Sequence, residues 1–127
     1  MGVSAFFMGG DPLMATGRVV NETPQVFHLS YSNNVTEVTN EYCYKCGHLV
    51  VADVAFKCSV TTAKRLDDYF TVPSGYRPRG HVFFNAFDNG ADLAMNGDLK
   101  ASGSTSIYRN HSTSLNSIRF HLEYLVK

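Results

Sequence analysis

The sequence contains no tryptophan, only four prolines and three cysteines, and charged residues make up only 17% of it. Its eleven basic residues equal its eleven acidic residues in number, so the formal net charge is zero. A chain without surplus lysine and arginine cannot neutralise many phosphates, which excludes nucleic acid as an expected partner. The same balance removes the attraction that draws basic proteins to anionic membranes.

Long apolar runs are also missing. No stretch approaches the roughly 18 apolar residues that a membrane-spanning helix needs, so membrane insertion is not expected. Residues 1–20 lack the basic start and long apolar block of a signal peptide. Glycines interrupt this region and no periodicity persists in it. We therefore predict a linker or stalk end over residues 1–24 and a single folded domain over residues 25–127, although Phe6 and Phe7 would also suit a swapped strand.

Two segments alternate clearly between apolar and polar residues. Even positions from Val50 to Val60 are apolar, whereas the odd positions include Asp53 and Lys57. The final segment, residues 117–126, alternates in the same way. This period of two predicts strands with one buried and one solvated face. The apolar face of the final strand is expected to consist of Ile118, Phe120, Leu122, Tyr124 and Val126.

Shorter segments between these strands are rich in valine, threonine and aromatic residues, which favour strands. Asn96-Gly97 predicts a two-residue hairpin turn, and residues 61–70 could form at most one helical turn. We predict an all-β fold, an antiparallel β-sandwich or jelly roll of eight or nine short strands. The shorter predicted strands cover residues 25–31, 35–45, 68–72, 81–87, 91–96, 98–102 and 104–109.

The stretch "TVPSGYRP", residues 71–78, predicts a sharp corner feeding a strand. Pro73 and Pro78 cannot donate to a central ladder, so the chain must leave the sheet between them. Gly75 is expected to supply an unusual backbone angle. We expect Tyr76 to pack against the sheet and Arg77 to hold the corner through backbone carbonyl groups.

This corner, followed by "ADLAMNGDLKA" and a terminal "EYLVK", resembles the C-terminal head domains of tail fibre and baseplate proteins from phages and prophages of Gram-positive bacteria. The upstream "NEYCYKCGHLVVADVAFKCSV" fits the same family, so the resemblance covers residues 35–127. The sequence departs from the family pattern at Val72, where leucine is usual, and at Cys43 and Cys46.

The resemblance implies a homotrimer of jelly-roll heads at the tip of a virion tail or baseplate, made in the bacterial host cytoplasm and assembled with other tail proteins. The implied ligand is a cell-wall polysaccharide or teichoic acid on the host surface. A trimer would suit the strand at residues 82–87, because Phe83 and Phe84 point to opposite faces and apolar residues on both faces need cover.

Cys43-x-x-Cys46 and His48 raise the possibility of zinc. Two thiols three residues apart on a strand point to opposite faces, and a second Cys-x-x-Cys pair is missing. We therefore expect no metal site and no cofactor. The two cysteines and Cys58 are expected to be reduced thiols with packing roles.

No sequence signature of a hydrolase is present, so we expect a non-enzymatic protein. Asp67 and Asp68 could form a carboxylate pair as in glycosidases, which leaves a surface glycan hydrolase as a third hypothesis. The second hypothesis is a structural trimerisation or assembly module without its own ligand.

Sugar binding needs aromatic faces and planar polar groups. One loop contains both kinds of residue, and a second loop contains only polar ones. Each loop also has an alternative interpretation as ordinary turn residues. The glycan-binding candidates are Tyr108, Arg109, Asn110 and His111 in one loop and Asp88, Asn89 and Asp92 in the other.

Overall fold

The computed structural model describes residues 23–88 and 93–126, and within those ranges the chain is all-β and contains no helix. The predicted linker, residues 1–24, lies outside the described residues except for its last two, and the domain boundary stays a prediction. The strand content of the described ranges confirms the predicted all-β class. These ranges contain no helix that could span a membrane.

The described part of the chain contains ten strands. They are β1 (Gln25–Val26), β2 (Ser30–Tyr31), β3 (Val35–Cys46), β4 (Leu49–Thr61), β5 (Arg65–Asp67), β6 (Phe70–Thr71), β7 (Val82–Asp88), β8 (Leu93–Leu99), β9 (Thr105–Tyr108) and β10 (Leu115–Leu125). A large curled sheet has the order β1-β3-β4-β10-β7-β8-β9-β5, and β2 pairs with β6 in a small second sheet. Neighbouring strands in both sheets are antiparallel.

The central strands β4 and β10 bury the faces that their alternation predicts. Even positions from Val50 to Cys58 are buried, as are the five apolar residues predicted for the last strand. Val60 was expected on the same face but is 69% exposed. The reason is that β4 pairs with β3 only as far as Cys58, so its end extends past the core.

The small sheet covers the concave side of the large one through an aromatic cluster. Phe70 of β6 is fully buried and stacks on Phe120 of β10 with ring centroids 4.5 Å apart. It also contacts Phe56 of β4 and Phe84 of β7. Because these rings come from both sheets, the cluster forms the core of the sandwich.

Glu41 of β3 ties the small sheet to the edge of the large one. Its carboxylate accepts hydrogen bonds from the Tyr31 hydroxyl (2.5 Å) and the Leu29 backbone N–H (3.2 Å), and lies 2.6 Å from His28 Nδ1. Burial alone would raise the pKa of Glu41, but the hydrogen bonds from Tyr31 and His28 outweigh it and lower that pKa. The ionised carboxylate of Glu41 is therefore the form that these hydrogen bonds stabilise and that holds the small sheet to β3.

The hairpin predicted at Asn96-Gly97 is wrong, because β8 continues through both residues. Gly97 pairs with Phe84 on one side and with Ile107 on the other. A Cβ at this glycine would collide with the ring of Phe84, so the residue is needed for close approach rather than for a turn. The chain turns instead at Gly103, where φ is +88°.

Residues 61–70, which were expected to form at most a helical turn, contain the last residue of β4, all of β5 and the start of β6. Leu66 is buried and β5 pairs with β9 at the edge of the large sheet. Pairing with an existing strand satisfies more backbone groups than one isolated helical turn could.

Candidate functional site

The outer face of the large sheet opens where β7 and β10 separate. The two strands pair only between Ile118–Phe120 and Ala86–Asp88. Beyond that point β10 continues along β4 and β7 continues along β8, each with its own register. The divergence leaves a groove of about 840 Å³ on the surface.

This first groove has aromatic and polar walls. Its β7 wall presents alternate residues of the strand, and its other wall combines outward residues of β10, β4 and β3. The outward residues that line the groove are Phe83, Asn85 and Phe87 on one wall and Asn40, Tyr42, Asp53, Arg119, His121 and Glu123 on the other.

His121 organises the charged wall of the first groove. Its Nδ1 lies 2.7 Å from Asp53 Oδ1 and its Nε2 lies 2.7 Å from Glu123 Oε2. The hydrogen bond to Glu123, followed by the one to Asp53, raises the pKa of His121 above 6.5. The two carboxylates therefore favour the protonated form of His121, in which the ring offsets part of their negative charge.

A second groove of about 520 Å³ lies on the other side of Phe83, above β8 and β9. Asn85, Asn96 and Tyr108 form a row across it, because they are paired residues of adjacent strands. Asp98 also lines this groove, where it lies 2.9 Å from His81 Nδ1.

Phe83 therefore stands between two polar grooves. It is 78% exposed, and the ring of His81 stacks beside it with centroids 6.1 Å apart. We call Phe83 together with the two grooves the outer-face site. An exposed ring can pack against the C–H face of a sugar, while the neighbouring amides and carboxylates can hydrogen-bond its hydroxyl groups.

The structure separates the glycan-binding candidates of the 108–111 loop. Tyr108 lines the second groove and is 39% exposed, whereas Arg109 is 4% exposed. Arg109 donates hydrogen bonds to the backbone oxygens of Ala63 and Thr113. The physical reason is strand alternation, which directs consecutive side chains to opposite faces. The Arg109 side chain is therefore buried and bonded to the backbone on both sides of it.

The remaining candidates do not join Tyr108 in one cluster. Asn110 is exposed, and His111 Nδ1 lies 2.8 Å from the Thr113 hydroxyl. Asp88 is 3% exposed because it shares the inward face of β7 with Ala86, so its side chain does not face solvent either. Asn89 and Asp92 lie outside the described residues. A ligand role for Tyr108, Asn110 and His111 stays a prediction.

Sequence reasoning missed most of the outer-face site. The outward positions of β7 carried a signal in the alternating residues Phe83, Asn85 and Phe87, but the exposed phenylalanine was interpreted as a contact with another chain. The polar residues that complete the grooves come from five other strands, and their assembly depends on register.

The corner at residues 72–80 lies between β6 and β7. Gly75 has a φ of +95° and Tyr76 N–H donates to Pro73 O, which defines a tight turn. Arg77 Nε donates to Val72 O at 3.0 Å. Pro78 forms an isolated bridge with Val126, next to the end of the last strand.

Tyr76 connects this corner to the core. Its ring stacks on Phe27 with centroids 4.1 Å apart, and its backbone oxygen accepts a hydrogen bond from the Tyr124 hydroxyl at 2.6 Å. The corner is therefore packed against β10 and the segment after β1.

Replacing Arg77 by alanine is expected to destabilise the domain by about 1.5 kcal/mol, because a charged donor to a backbone oxygen is lost. For a domain of this size the melting temperature should fall by roughly 5 °C, measured by thermal unfolding. Arg65→Ala, which removes an exposed arginine paired with Asp67, is the control and should leave the melting temperature nearly unchanged. Loss of cell binding by Arg77→Ala at unchanged stability would contradict the structural role.

The three cysteines are reduced thiols in different environments. Cys43 and Cys58 are buried and Cys46 is exposed. Burial, more than the nearby carboxylates, raises the pKa of Cys43 to about 12, so this thiol stays protonated. Among the described residues no group of three His, Cys, Asp or Glu side chains has an arrangement suited to a metal ion.

Asp67 and Asp68 are engaged in separate structural contacts. Asp67 accepts hydrogen bonds from Arg65 Nε (2.9 Å) and the Ser106 hydroxyl (2.7 Å). Asp68, with φ +54°, accepts from the Ser104 hydroxyl and the Thr105 backbone N–H. The two carboxylates therefore bond to different partners and hold β5 and residue 68 against the start of β9.

These features define the class of fold. A large curled antiparallel sheet with a small second sheet inside it is the β-sandwich architecture of phage head domains, as comparison with solved structures shows. The resemblance drawn from the sequence motifs is thereby confirmed at the level of the fold.

One such structure is the head domain of phage bIL170, described among the receptor-binding domains of lactococcal phages. The TM-score is 0.57 and the sequence identity is 12%, and the match covers 84% of this chain and 100% of the bIL170 chain. At this identity the similarity establishes the fold. No protein-family model matches the chain, and no curated protein matches it.

Proposed function

We propose that this chain is a host-adsorption head domain of a phage tail device, and that it binds a bacterial surface polysaccharide without cleaving it. The observation that carries the proposal is the 78% exposed ring of Phe83 between two grooves lined by amides and carboxylates. The fold similarity to a phage receptor-binding head domain supports it.

The composition of the outer-face site favours a saccharide over a protein surface. A large exposed ring is costly to hydrate, so its retention suits a binding role. The side chains around it, Asn85 and Asn96 in particular, offer both donors and acceptors at fixed positions on strands. Sugars present hydroxyl groups and apolar C–H faces together, and this site offers a partner for each.

The charges of the outer-face site favour a neutral polysaccharide over teichoic acid as its ligand. His121 lies between Asp53 and Glu123, and Asp98 lies beside His81 and, at 3.7 Å, Lys100. The two grooves thus hold three carboxylates, those of Asp53, Asp98 and Glu123, against two permanent cations, Arg119 in the first groove and Lys100 beside Asp98. A phosphate polymer would meet these carboxylates without surplus positive charge to offset the repulsion.

Binding to the surface polysaccharide is therefore expected to depend little on salt. Raising sodium chloride from 50 to 500 mM should change Kd by less than about twofold, because few counterions are released from a neutral ligand. Titration calorimetry with purified polysaccharide provides the measurement, and a phosphate-rich wall polymer at the same salt concentrations is the control. A Kd that rises tenfold or more would indicate a polyanionic ligand.

A glycan array and a whole-cell binding assay test the function itself. Wild-type protein should bind a subset of polysaccharides and leave their chain length unchanged on prolonged incubation. Shortened products would instead support the glycan hydrolase. If no cell or glycan is bound, the alternative of a structural trimerisation or assembly module is favoured.

We also propose that the chain acts as a homotrimer with other tail or baseplate proteins in the virion. Exposed apolar residues outside the grooves support an interface, since Leu49 and Leu125 are neighbours in the sheet and Val26 lies at its β1 edge. Light scattering should give about 42 kDa, three times the 14.1 kDa of one chain. A mass near that of one chain would contradict the trimer.

A further inference from the structure

The corner holds two arginines whose side chains are attached in the same way. Arg77 Nε donates to Val72 O at 3.0 Å, and Arg79 Nε donates to Val126 O at 3.2 Å. Within residues 23–88 and 93–126, neither guanidinium has a carboxylate within 4.0 Å, in contrast to Arg65, which pairs with Asp67. Among these described residues, the two guanidinium groups therefore bring positive charge to the corner that no carboxylate within 4.0 Å offsets.

A notch of about 200 Å³ lies at the same corner. An added Cβ at Gly75 would meet nothing within 4 Å, so the notch is open on the side of the turn. We call this the corner notch, and the residues that line it are Ser74, Gly75, Arg77, Ala101 and Val126.

The attachment through Nε determines what Arg77 can still bind. A guanidinium has five N–H donors, and those on its two terminal nitrogens form an edge that fits two oxygens of a phosphate or carboxylate. The bond to Val72 O uses the Nε donor and leaves that edge available. Because the side chain is already held, binding an anion there loses little additional conformational entropy.

We propose that the corner notch binds a phosphate-group oxyanion through the terminal edge of Arg77 and the Ser74 hydroxyl. Arg79, bound to the carbonyl of Val126 at the notch wall, adds a second positive charge. The anion is the phosphate group itself, either as free phosphate or as a phosphodiester of a surface polymer. This site is distinct from the outer-face site and does not depend on glycan binding there.

The test is an NMR titration of the ¹⁵N-labelled full chain with sodium phosphate at constant ionic strength. Saturable shifts are expected at the amides of residues 74–77, 79 and 101–103. Arg79→Gln is expected to weaken binding about tenfold through the lost charge. Arg65→Gln, at the exposed β5 edge, is the matched control and should bind like the wild type.

Arg79 is chosen for substitution because its side chain is exposed, and the melting temperature of each variant reports whether it is folded. Arg77→Lys provides a second check, since it retains the charge but loses the two-nitrogen edge and should also bind more weakly. Shifts that do not saturate, or equal weakening by Arg79→Gln and Arg65→Gln, would overturn the proposal.

A parallel titration with dimethyl phosphate separates the two sources of the anion. Binding of both probes supports a phosphodiester of a surface polymer, and binding of inorganic phosphate alone supports free phosphate. Binding of neither probe overturns the site, whether or not the chain binds polysaccharide.

Discussion

Replacing Phe83 by alanine is expected to lower the affinity for surface polysaccharide about 30-fold, as the loss of an aromatic hot spot of about 2 kcal/mol would. The ring lies between both grooves and is 78% exposed, so its removal takes away the stacking surface without opening the core. Stability should change by less than about 0.5 kcal/mol, as for other exposed positions. Titration calorimetry and thermal unfolding measure the two effects.

Two further variants make this result specific. Phe83→Tyr retains the ring and should bind within a fewfold of the wild type. Val60→Ala removes an apolar side chain of similar exposure at the end of β4, which lines neither groove, and should leave binding unchanged. Normal binding by Phe83→Ala would contradict the outer-face site, and a lower molar mass of that variant would reassign the ring to a contact between copies.

Replacing Phe70 by alanine is expected to destabilise the domain by about 3–5 kcal/mol, the usual effect of removing a buried phenylalanine. Phe70 is fully buried, stacks on Phe120 and contacts Phe56 and Phe84. Since domains are stable by roughly 5–15 kcal/mol, much of the folding free energy would be lost. Urea unfolding followed by tyrosine fluorescence or circular dichroism gives the free energy of unfolding.

The matched control for this prediction is Phe83→Ala. It also removes a phenylalanine ring, but from the outer face of the large sheet and not from the core that Phe70 fills. If Phe70→Ala lowered the free energy of unfolding by less than about 1 kcal/mol, the small sheet would not be needed to cover the core. If Phe70→Ala does not fold, Phe70→Leu, which leaves a smaller cavity, should retain a measurable part of the stability.

The fold class could be predicted because alternation is a local property. The even positions from Val50 to Cys58 and the apolar face ending at Val126 are both buried as their period of two predicts. The prediction at Asn96-Gly97 was wrong because this dipeptide occurs both in hairpin turns and in strands where another group packs directly on the glycine. Only the position of the Phe84 ring against Gly97 distinguishes the two cases.

The candidate site could be predicted only in small part. Tyr108 was selected from its loop and does line a groove, but Arg109 beside it is buried. Asn85, Asn96 and Tyr108 are far apart in sequence and adjacent in space because three strands pair in one register. Nothing in the sequence around any one of them indicates the other two.

The sequence by itself determined the all-β class, the buried faces of the long strands and the corner at Pro73, because each depends on neighbouring residues and their backbone preferences. Only the tertiary structure decided which outward side chains meet, that β7 and β10 separate beyond Phe120, and that Phe83 stands between the resulting grooves. Those outcomes depend on register and sheet curvature, which are set by packing between residues distant along the chain.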